Sequence, residues 1–266
     1  MAALRGHDVT LYEKAGALGG LLPLAYMVKG THPEDLSLLV RYFSRQLRNL
    51  GVKVVLGHEA DLATVEAVKP DAVFLATGGV STIPKIPGID RSIVVSGAKL
   101  HGLLKFALRF FTPQMLRRLS KLYMPIKKRV IVIGGAIQGC ELAEFLTRRG
   151  RLVTIVEQNE MIGEGMVDAL LAHLMIWFQK KKVTLISGVR EYLEINQRGL
   201  VIIDKNGKKQ TLRADTIVSA LPLAPANELL EGIREKVPEF HAIGDCNNPA
   251  LIADAIGTGL RTAREV

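Results

Sequence analysis

Apolar positions along the chain follow two spacings, and their alternation predicts an α/β protein. Short apolar runs rich in β-branched residues are typical of strands that helices cover on both faces of a parallel sheet. Such strands are predicted at 52–56, 72–75, 129–133, 152–156 and 240–244. Apolar residues spaced three or four apart predict amphipathic helices at 34–50, 140–149, 168–180 and 251–265. Further short strands at 183–187, 191–195 and 200–204 precede a hairpin at Asn206-Gly207.

The chain contains an internal repeat. The segment Arg5–Glu13 is similar to Arg149–Glu157, and Asp71–Ala76 is similar to Asp215–Ala220. Both matches have the same offset of 144 residues. Two matches at one offset predict two copies of one domain plan.

The second copy contains a glycine-rich loop. The strand 129–133 runs into Gly134-Gly135-Ala136-Ile137-Gln138-Gly139, and a helix and the strand 152–156 follow. In a dinucleotide-binding unit, the first glycine makes a tight turn, a small residue admits the pyrophosphate and the last glycine lets the helix pack on the strand. Glu157, which follows the second strand, is expected to accept hydrogen bonds from a ribose diol. The alternative interpretation is a tight strand-to-helix turn without a ligand.

The repeat also makes a prediction about the first copy. Subtracting the offset from Gly134 and Gly139 places the equivalent glycine loop before Met1. The first strand and glycine loop of the first domain are therefore expected to be missing from this chain.

Composition and charge narrow the function classes. The 266 residues are 48% hydrophobic, with 35 Lys+Arg, 26 Asp+Glu and a formal net charge of +9. No apolar run reaches the roughly 20 residues of a membrane-spanning helix, and the first residues do not resemble a secretory signal, so a cytoplasmic protein is predicted. Cys140 and Cys246 lack the spacing of a redox pair, and the histidines lack the spacing of a metal site.

Positive charge is concentrated between the two copies. The stretch 105–129 holds Lys105, Arg109, Arg117, Arg118, Lys121, Lys127, Lys128 and Arg129, with aromatic residues between them and no acid. Such a stretch is compatible with nucleic acid or an anionic membrane surface. Its position between the copies favours a linker or a docking face, and no nucleic-acid partner is predicted.

With these motifs in place, the chain resembles the carboxyl-terminal FAD/NAD(P)H module of the 2,4-dienoyl-CoA reductase and trimethylamine dehydrogenase branch of old yellow enzyme-type proteins. That branch has the pyridine nucleotide-disulfide reductase-like fold. The resemblance implies that FAD is held by Glu13, Gly19, Gly20, Ala76, Thr77, Gly78, Gly244 and Asp245. It implies that the nicotinamide cofactor is held by Gly134, Gly135, Gly139 and Glu157. No catalytic side chain is predicted, because the hydride chemistry belongs to the cofactors.

The predicted architecture is therefore α/β, with two Rossmann-like dinucleotide-binding domains, the second inserted in the first. The FAD-type domain is expected at 1–100 and 224–266, a basic linker at 101–124 and the NAD(P)H-type domain at 125–223. The predicted function is hydride transfer from NADH, in preference to NADPH, to FAD and on to a partner domain or subunit. The alternatives are a non-catalytic adenine-nucleotide-binding or electron-transfer subunit, and a fragment of a longer reductase.

Overall fold

A computed structural model of the protein describes residues 1–30, 32–108, 110–226 and 230–266. The chain forms two compact units. The first unit consists of Met1–Pro23, Glu34–Val80 and Leu223–Val266, and the second of Leu24–Pro33 and Ser81–Pro222. Each unit is thus built from separate stretches of the chain.

Both units contain strands and helices. The strands are β1 (Thr10–Glu13), β2 (Lys53–Leu56), β3 (Ala72–Leu75), β4 (Gly79–Ser81), β5 (Val94–Val95), β6 (Arg129–Ile133), β7 (Leu152–Val156), β8 (Thr184–Ile186), β9 (Glu191–Asn196), β10 (Gly199–Ile203), β11 (Lys209–Arg213), β12 (Thr216–Ser219), β13 (Leu223–Pro225) and β14 (Glu239–Ala242). The α-helices are α1 (Leu22–Val28), α2 (Glu34–Asn49), α3 (Leu62–Val68), α4 (Gly97–Ala107), α5 (Pro113–Leu119), α6 (Ile137–Thr147), α7 (Asp168–Lys180), α8 (Leu230–Arg234) and α9 (Ile252–Glu265).

The second unit is built on a parallel sheet with strand order β5-β12-β6-β7-β8. Strand β6 lies in its middle, paired with β7 on one side and β12 on the other. Val132, Ile133 and Ile155 are fully buried in this sheet, and Leu146 and Phe178 are fully buried on the helices α6 and α7. The continuous apolar runs of β6 and β7 thus reflect strands covered on both faces. An antiparallel sheet of order β11-β10-β9 adds a second layer.

The first unit contains two separate parallel pairs, β1 with β2 and β3 with β14. By the repeat, β1 corresponds to β7 and β3 corresponds to β12, the two strands that flank β6 in the second unit. Among the residues that the structure describes, no strand joins β1 to β3. The first unit thus has counterparts of four strands of the second sheet, without a counterpart of its middle strand.

Hydrogen bonds at the strand ends also follow the repeat. The carbonyl of Glu13 accepts the N–H of His58 at 3.1 Å, and the carbonyl of Glu157 accepts the N–H of Val189 at 3.0 Å. In each unit, the carbonyl two residues after the glutamate also accepts an N–H from the same neighbouring loop. In the first unit the carbonyl of Ala15 accepts the N–H of Gly57, and in the second unit the carbonyl of Asn159 accepts the N–H of Gly188. The predicted α/β class with parallel sheets and two related units is confirmed.

Some elements differ from the sequence-based expectation. Helix α6 begins at Ile137, three residues before the predicted start, directly after the glycine loop. Helix α3, which the pattern did not predict, begins with a capping box in which Asp61 Oδ1 accepts the N–H of Thr64 at 2.8 Å. This helix is only seven residues long, too short for a 3.6-residue periodicity to stand out.

Candidate dinucleotide site

The glycine loop of the second unit connects β6 to α6, and its glycines are required by the backbone. Gly134 has a φ of +103°, in the region that favours glycine, and a Cβ there would lie 2.8 Å from the carbonyl oxygen of Ala220. A Cβ at position 139 would overlap the carbonyl oxygen of Gly134. Gly134 therefore permits the turn, and Gly139 permits the close approach of α6 to the end of β6.

Helix α6 presents its amino end at this loop. Its first residue follows Ala136, whose side chain makes no capping hydrogen bond, and the first turn contains no acidic residue. The first N–H groups of an α-helix lack partners within the helix, and they lie at the positive end of its dipole. This end therefore suits the pyrophosphate of a dinucleotide.

Glu157 is fixed beside the glycine loop by hydrogen bonds to both of its carboxylate oxygens. Oε2 accepts the N–H of Gly135 at 2.6 Å, and Oε1 accepts the N–H of Asn159 at 2.8 Å. A Cβ on Gly135 would lie 3.0 Å from the Cβ of Glu157, so the side chain passes close over the loop. The half-buried carboxylate thus lies at the carboxyl end of β7, next to the turn that β6 makes.

Three arginines near this strand in sequence lie at its other end. Arg148, Arg149 and Arg151 precede β7, whereas Glu157 follows it, so Arg151 and Glu157 are separated by about 20 Å along an extended strand. The arginines are bonded there, Arg148 to Glu144, Arg149 to Ser120 and Arg151 to the carbonyl of Ile126. They therefore do not offset the charge of Glu157.

The loop after β7 adds further carboxylates. Glu160 and Glu164 follow Glu157 within eight residues, and Asn159 Nδ2 donates to Glu164 Oε2 at 2.8 Å. Gly163 donates its N–H to the carbonyl of Gly135 at 2.6 Å, which fixes this loop against the glycine turn. The loop after β7 therefore has an acidic character next to the glycine turn.

Neither cysteine is placed for redox work. Cys140 is fully buried, its Sγ donates to the carbonyl of Gly135 at 3.3 Å, and burial raises the pKa of its thiol to about 12. Cys246 is also fully buried, and its Sγ donates to the carbonyl of Leu75 at 2.9 Å. Both side chains act as small packed residues.

The first unit repeats part of this arrangement. Glu13 is the last residue of β1, and its Oε1 accepts the N–H of Ala15 at 2.8 Å, as Glu157 accepts that of Asn159. The residues Gly19 and Gly20 that follow have positive φ values of +120° and +53°. Glu13 therefore has the local geometry of a ribose-binding carboxylate, while the described residues supply no glycine loop for it to face.

Two further predicted segments lie at the ends of strands in the first unit. Ala76, Thr77 and Gly78 follow β3, and Gly78 turns the chain with a φ of +81°. Gly244 and Asp245 follow β14; Asp245 Oδ1 accepts the N–H of Ala250 at 3.3 Å. Because β3 and β14 pair in parallel, both segments leave the same edge of the sheet.

A cavity of about 390 Å³ opens beside Gly244 in the first unit. Its lining is Gly244, Asn247, Asn248, Ala250, Asp254, Ala255, Thr258 and Arg261. The sequence analysis did not single out the asparagines, Thr258 or Arg261. The spacing of Asp254, Thr258 and Arg261 along α9, four and three residues apart, is the signal that places them on one helix face.

The cavity combines donors, acceptors and both signs of charge. Thr258 Oγ1 accepts the N–H of Gly244 at 3.1 Å, and Asp254 Oδ2 accepts the N–H of Leu251 at 3.1 Å at the start of α9. Arg261 supplies a cation to the same wall. Such a wall suits a polar ligand that offers both hydrogen-bond donors and acceptors.

A glycine turn, a helix amino end and a strand-end glutamate on a parallel sheet define the second unit as a Rossmann-type domain. A model of the pyridine nucleotide-disulphide oxidoreductase family matches residues 1–259. The chain belongs to this family.

Similar proteins are longer than this chain. The NADH oxidase of Thermoanaerobacter brockii is 32% identical over 269 residues, which cover 100% of this chain and 38% of that protein. The cinnamate reductase of Clostridium sporogenes is 29% identical, with 100% of this chain and 37% of that protein covered. A 2-naphthoyl-CoA reductase structure has a TM-score of 0.81 at 28% identity, over 100% of this chain and 37% of that one. The chain thus spans less than two-fifths of these relatives.

Proposed function

We propose that the chain is the nicotinamide- and flavin-binding module of a reductase, and that it passes reducing equivalents to a further domain or subunit. The observation that carries this proposal is the hydrogen bond between Glu157 and the glycine loop, which brings the ribose-binding carboxylate to the pyrophosphate-binding turn. Membership of the pyridine nucleotide-disulphide oxidoreductase family and the similarity to an NADH oxidase and a cinnamate reductase support it. When bound, NADH and FAD supply the hydride chemistry, and the protein supplies binding, orientation and exclusion of water.

The nicotinamide cofactor is proposed to be NADH. The pyrophosphate would be held by the amino end of α6 and the glycine turn, and the adenosine ribose by Glu157. A 2′-phosphate would meet the carboxylates of Glu157, Glu160 and Glu164, while the nearby arginines are bonded at the opposite end of β7. Repulsion between like charges therefore disfavours NADPH.

FAD is proposed to be the second cofactor, bound by Glu13, Gly19, Gly20, Ala76, Thr77, Gly78, Gly244 and Asp245 and by the cavity beside α9. These residues fit the ribose and ribityl parts of the molecule. The described part of the first unit offers no glycine loop for the pyrophosphate, and no strand joins β1 to β3. We therefore propose that the 266-residue chain holds FAD weakly.

The narrower assignment to the 2,4-dienoyl-CoA reductase and trimethylamine dehydrogenase branch is part of this proposal. The similarity to 2-naphthoyl-CoA reductase supports it, as does the fraction of the longer relatives that the chain covers. The substrate of the complete system and its location in the cytoplasm are proposals of the same kind.

A second candidate is a non-catalytic adenine-nucleotide-binding or electron-transfer subunit. The incomplete parallel sheet of the first unit favours it. The two candidates differ in flavin content and in turnover. The test is to titrate the purified chain with FAD and then follow NADH oxidation with an artificial electron acceptor.

FAD-dependent NADH oxidation that needs a higher NADH concentration in Glu157→Gln is the expected result. Binding of NADH without oxidation at saturating FAD would favour the second candidate. Failure to bind either nicotinamide cofactor would contradict both candidates.

A further inference from the structure

Two helices of the second unit present apolar side chains to solvent. On α4 and the residues after it, Leu103, Phe106 and Phe110 are 54%, 57% and 70% exposed. Leu103 and Phe106 are three residues apart on one face of α4, and Phe110 lies in the turn after the helix. Phe106 and Phe110 contact each other edge-to-face, with 5.5 Å between ring centroids.

Helix α5 and the turn after it repeat the pattern. Met115, Leu119 and Leu122 are spaced four and three residues apart and are 47%, 40% and 87% exposed. Tyr123, next in the chain, is 78% exposed. Exposed apolar residues that recur at helical spacing on successive helices indicate a binding surface, because isolated exposed apolar residues show no such order.

The charges on this segment have one sign. No aspartate or glutamate occurs between Asp90 and Glu141. Arg118, Lys121 and Lys127 are exposed within it. Arg109 and the side chain of Lys105, which the sequence analysis counted in the basic stretch, lie outside the described residues.

Helix α5 is attached to the unit through Arg117. The Nη1 of Arg117 donates to the carbonyl oxygens of Tyr26 and Lys29, at 2.8 and 2.7 Å, just where α1 ends. Arg149 in turn donates through Nη2 to the carbonyl of Arg117 at 3.2 Å and through Nε to Ser120 Oγ at 2.9 Å. The exposed apolar residues of α5 therefore lie on a helix that is hydrogen-bonded to the rest of the second unit. This segment is not a freely solvated linker.

We propose that the exposed apolar residues of α4 and α5 together bind an anionic lipid membrane from one side. The lipid-binding face consists of Leu103, Phe106, Phe110, Met115, Leu119, Leu122 and Tyr123, flanked by Arg118 and Lys121. Apolar and aromatic residues on one side of a helix, with only cations beside them, are typical of helices that lie in the membrane interface. None of the described helices is long and apolar enough to cross a bilayer, so the attachment is peripheral.

The charge pattern favours a lipid surface over a protein partner. Phenylalanine, tyrosine, methionine and arginine are also common at protein interfaces, so the apolar residues do not choose between the two kinds of partner and the charge decides. The 50 residues between Asp90 and Glu141 contain cations and no acidic residue. Such a segment complements a continuous layer of anionic lipid head groups. This inference goes beyond the proposed function and does not depend on cofactor binding.

The test is co-sedimentation of the 266-residue protein with vesicles of phosphatidylcholine containing about one-third phosphatidylglycerol. We expect binding to these vesicles at low salt, weaker binding as salt is raised, and little binding to pure phosphatidylcholine. The double variant Phe106→Ser and Phe110→Ser should bind at least about tenfold more weakly, since each phenylalanine contributes apolar area to the interface. Arg118→Glu combined with Lys121→Glu should abolish the preference for anionic vesicles.

A matched control removes two exposed apolar residues elsewhere in the same unit. Leu170 and Ile176 on α7 are 54% and 55% exposed, and their replacement by serine should leave vesicle binding unchanged. Circular dichroism and urea unfolding midpoints identify variants that do not fold, independently of NADH or FAD.

Four results would overturn the proposal. The first is absence of binding to the anionic vesicles, and the second is an equal loss of binding in the α7 control. The third is a self-associated protein that the Phe106 and Phe110 substitutions dissociate, which would make the face an interface between copies. Binding of duplex RNA in place of vesicles, with a steep salt dependence, would likewise assign the basic segment to nucleic acid.

Discussion

The carboxylate of Glu157 accepts the N–H of Gly135 at 2.6 Å, so the acid at the end of one strand is bonded to the turn at the end of the neighbouring strand. The contact exists because β6 and β7 pair in parallel, with Ile133 opposite Val156. Residues that follow paired positions of parallel strands leave the same sheet edge. The relationship between these two residues explains why the glycine loop and the carboxylate of Glu157, which we propose binds the ribose, lie together.

Glu157→Gln is expected to weaken NADH binding and to reduce the preference for NADH over NADPH. The substitution removes the charge and at least one of the two acceptor positions now bonded to backbone N–H groups. Hydrogen bonds to a charged group contribute about 1.5–3 kcal/mol each, so the loss should be roughly tenfold or more. Calorimetric titration with both cofactors measures it.

The control for this substitution is Glu160→Gln, which leaves Glu157 and its two backbone contacts in place. It should change the NADPH affinity more than the NADH affinity, because it alters only the charge near the ribose. Equal or tighter binding of NADPH by the unaltered protein would show that the cofactor preference is wrong.

Gly139→Ala is expected to destabilise the second unit. The new methyl group would overlap the carbonyl oxygen of Gly134, and backbone atoms cannot move aside as a flexible side chain can. A loss of about 1–3 kcal/mol in the free energy of unfolding is expected from overpacking. Urea denaturation followed by circular dichroism measures this loss.

Gly102→Ala is the matched control, since nothing lies within 4 Å of a Cβ built at that position in α4. There the replacement should be neutral or stabilising by up to about 1 kcal/mol, the difference in helix propensity. Similar unfolding curves for the two variants would contradict the packing role of Gly139.

The thiol of Cys140 is expected to be unreactive in the folded protein. Burial raises its pKa from 9.0 to about 12, so very little thiolate exists near pH 8. Iodoacetamide should label Cys140 only after denaturation, which peptide mass spectrometry detects. Rapid labelling of this residue in the folded state would show that the site opens.

The same pKa shift has a consequence for stability. The folded state favours the protonated thiol, so its contribution is fully present below the pKa of the unfolded thiol, near 9, and is lost as pH rises towards about 12. Cys140→Ser should flatten this decline in urea unfolding measured at several pH values. An unchanged pH dependence would show that other groups dominate it.

The 266-residue chain is expected to purify with little FAD. Each hydrogen bond from residues such as Glu13 and Asp245 contributes only about 1 kcal/mol net, and the described first unit lacks a helix amino end after a glycine loop. An extension of about twenty residues that supplies a strand and a Gly-x-Gly-x-x-Gly loop before Met1 should raise flavin content. Visible absorbance of the two purified forms provides the comparison.

The open edges of β1 and β3 should also make the shorter form more prone to aggregation, because unpaired strand edges pair with other chains. Light scattering of both forms at equal concentration tests this expectation. Stoichiometric FAD in the 266-residue form would contradict the repeat-based placement of the missing loop.

The sequence by itself determined the parts of the protein that depend on local pattern. The strand at Arg129–Ile133 and the helix at Asp168–Lys180 have the predicted bounds, because β-branched runs and helical spacing act over neighbouring residues. The repeat predicted that β1 corresponds to β7, and the glycine spacing with Glu157 predicted a dinucleotide site. These inferences needed only residue types and their separations.

Tertiary structure decided what depends on contacts between distant segments. Arg117 points inward and donates to the carbonyls at the end of α1. The sequence does not distinguish Arg117 from the other basic residues of the same stretch, so this direction could not be predicted from it. The cavity beside Gly244 and the exposure of Phe106 and Phe110 likewise depend on which surfaces the fold covers. Periodicity states which residues share a helix face, but only packing against the rest of the chain determines whether that face is buried or remains in solvent.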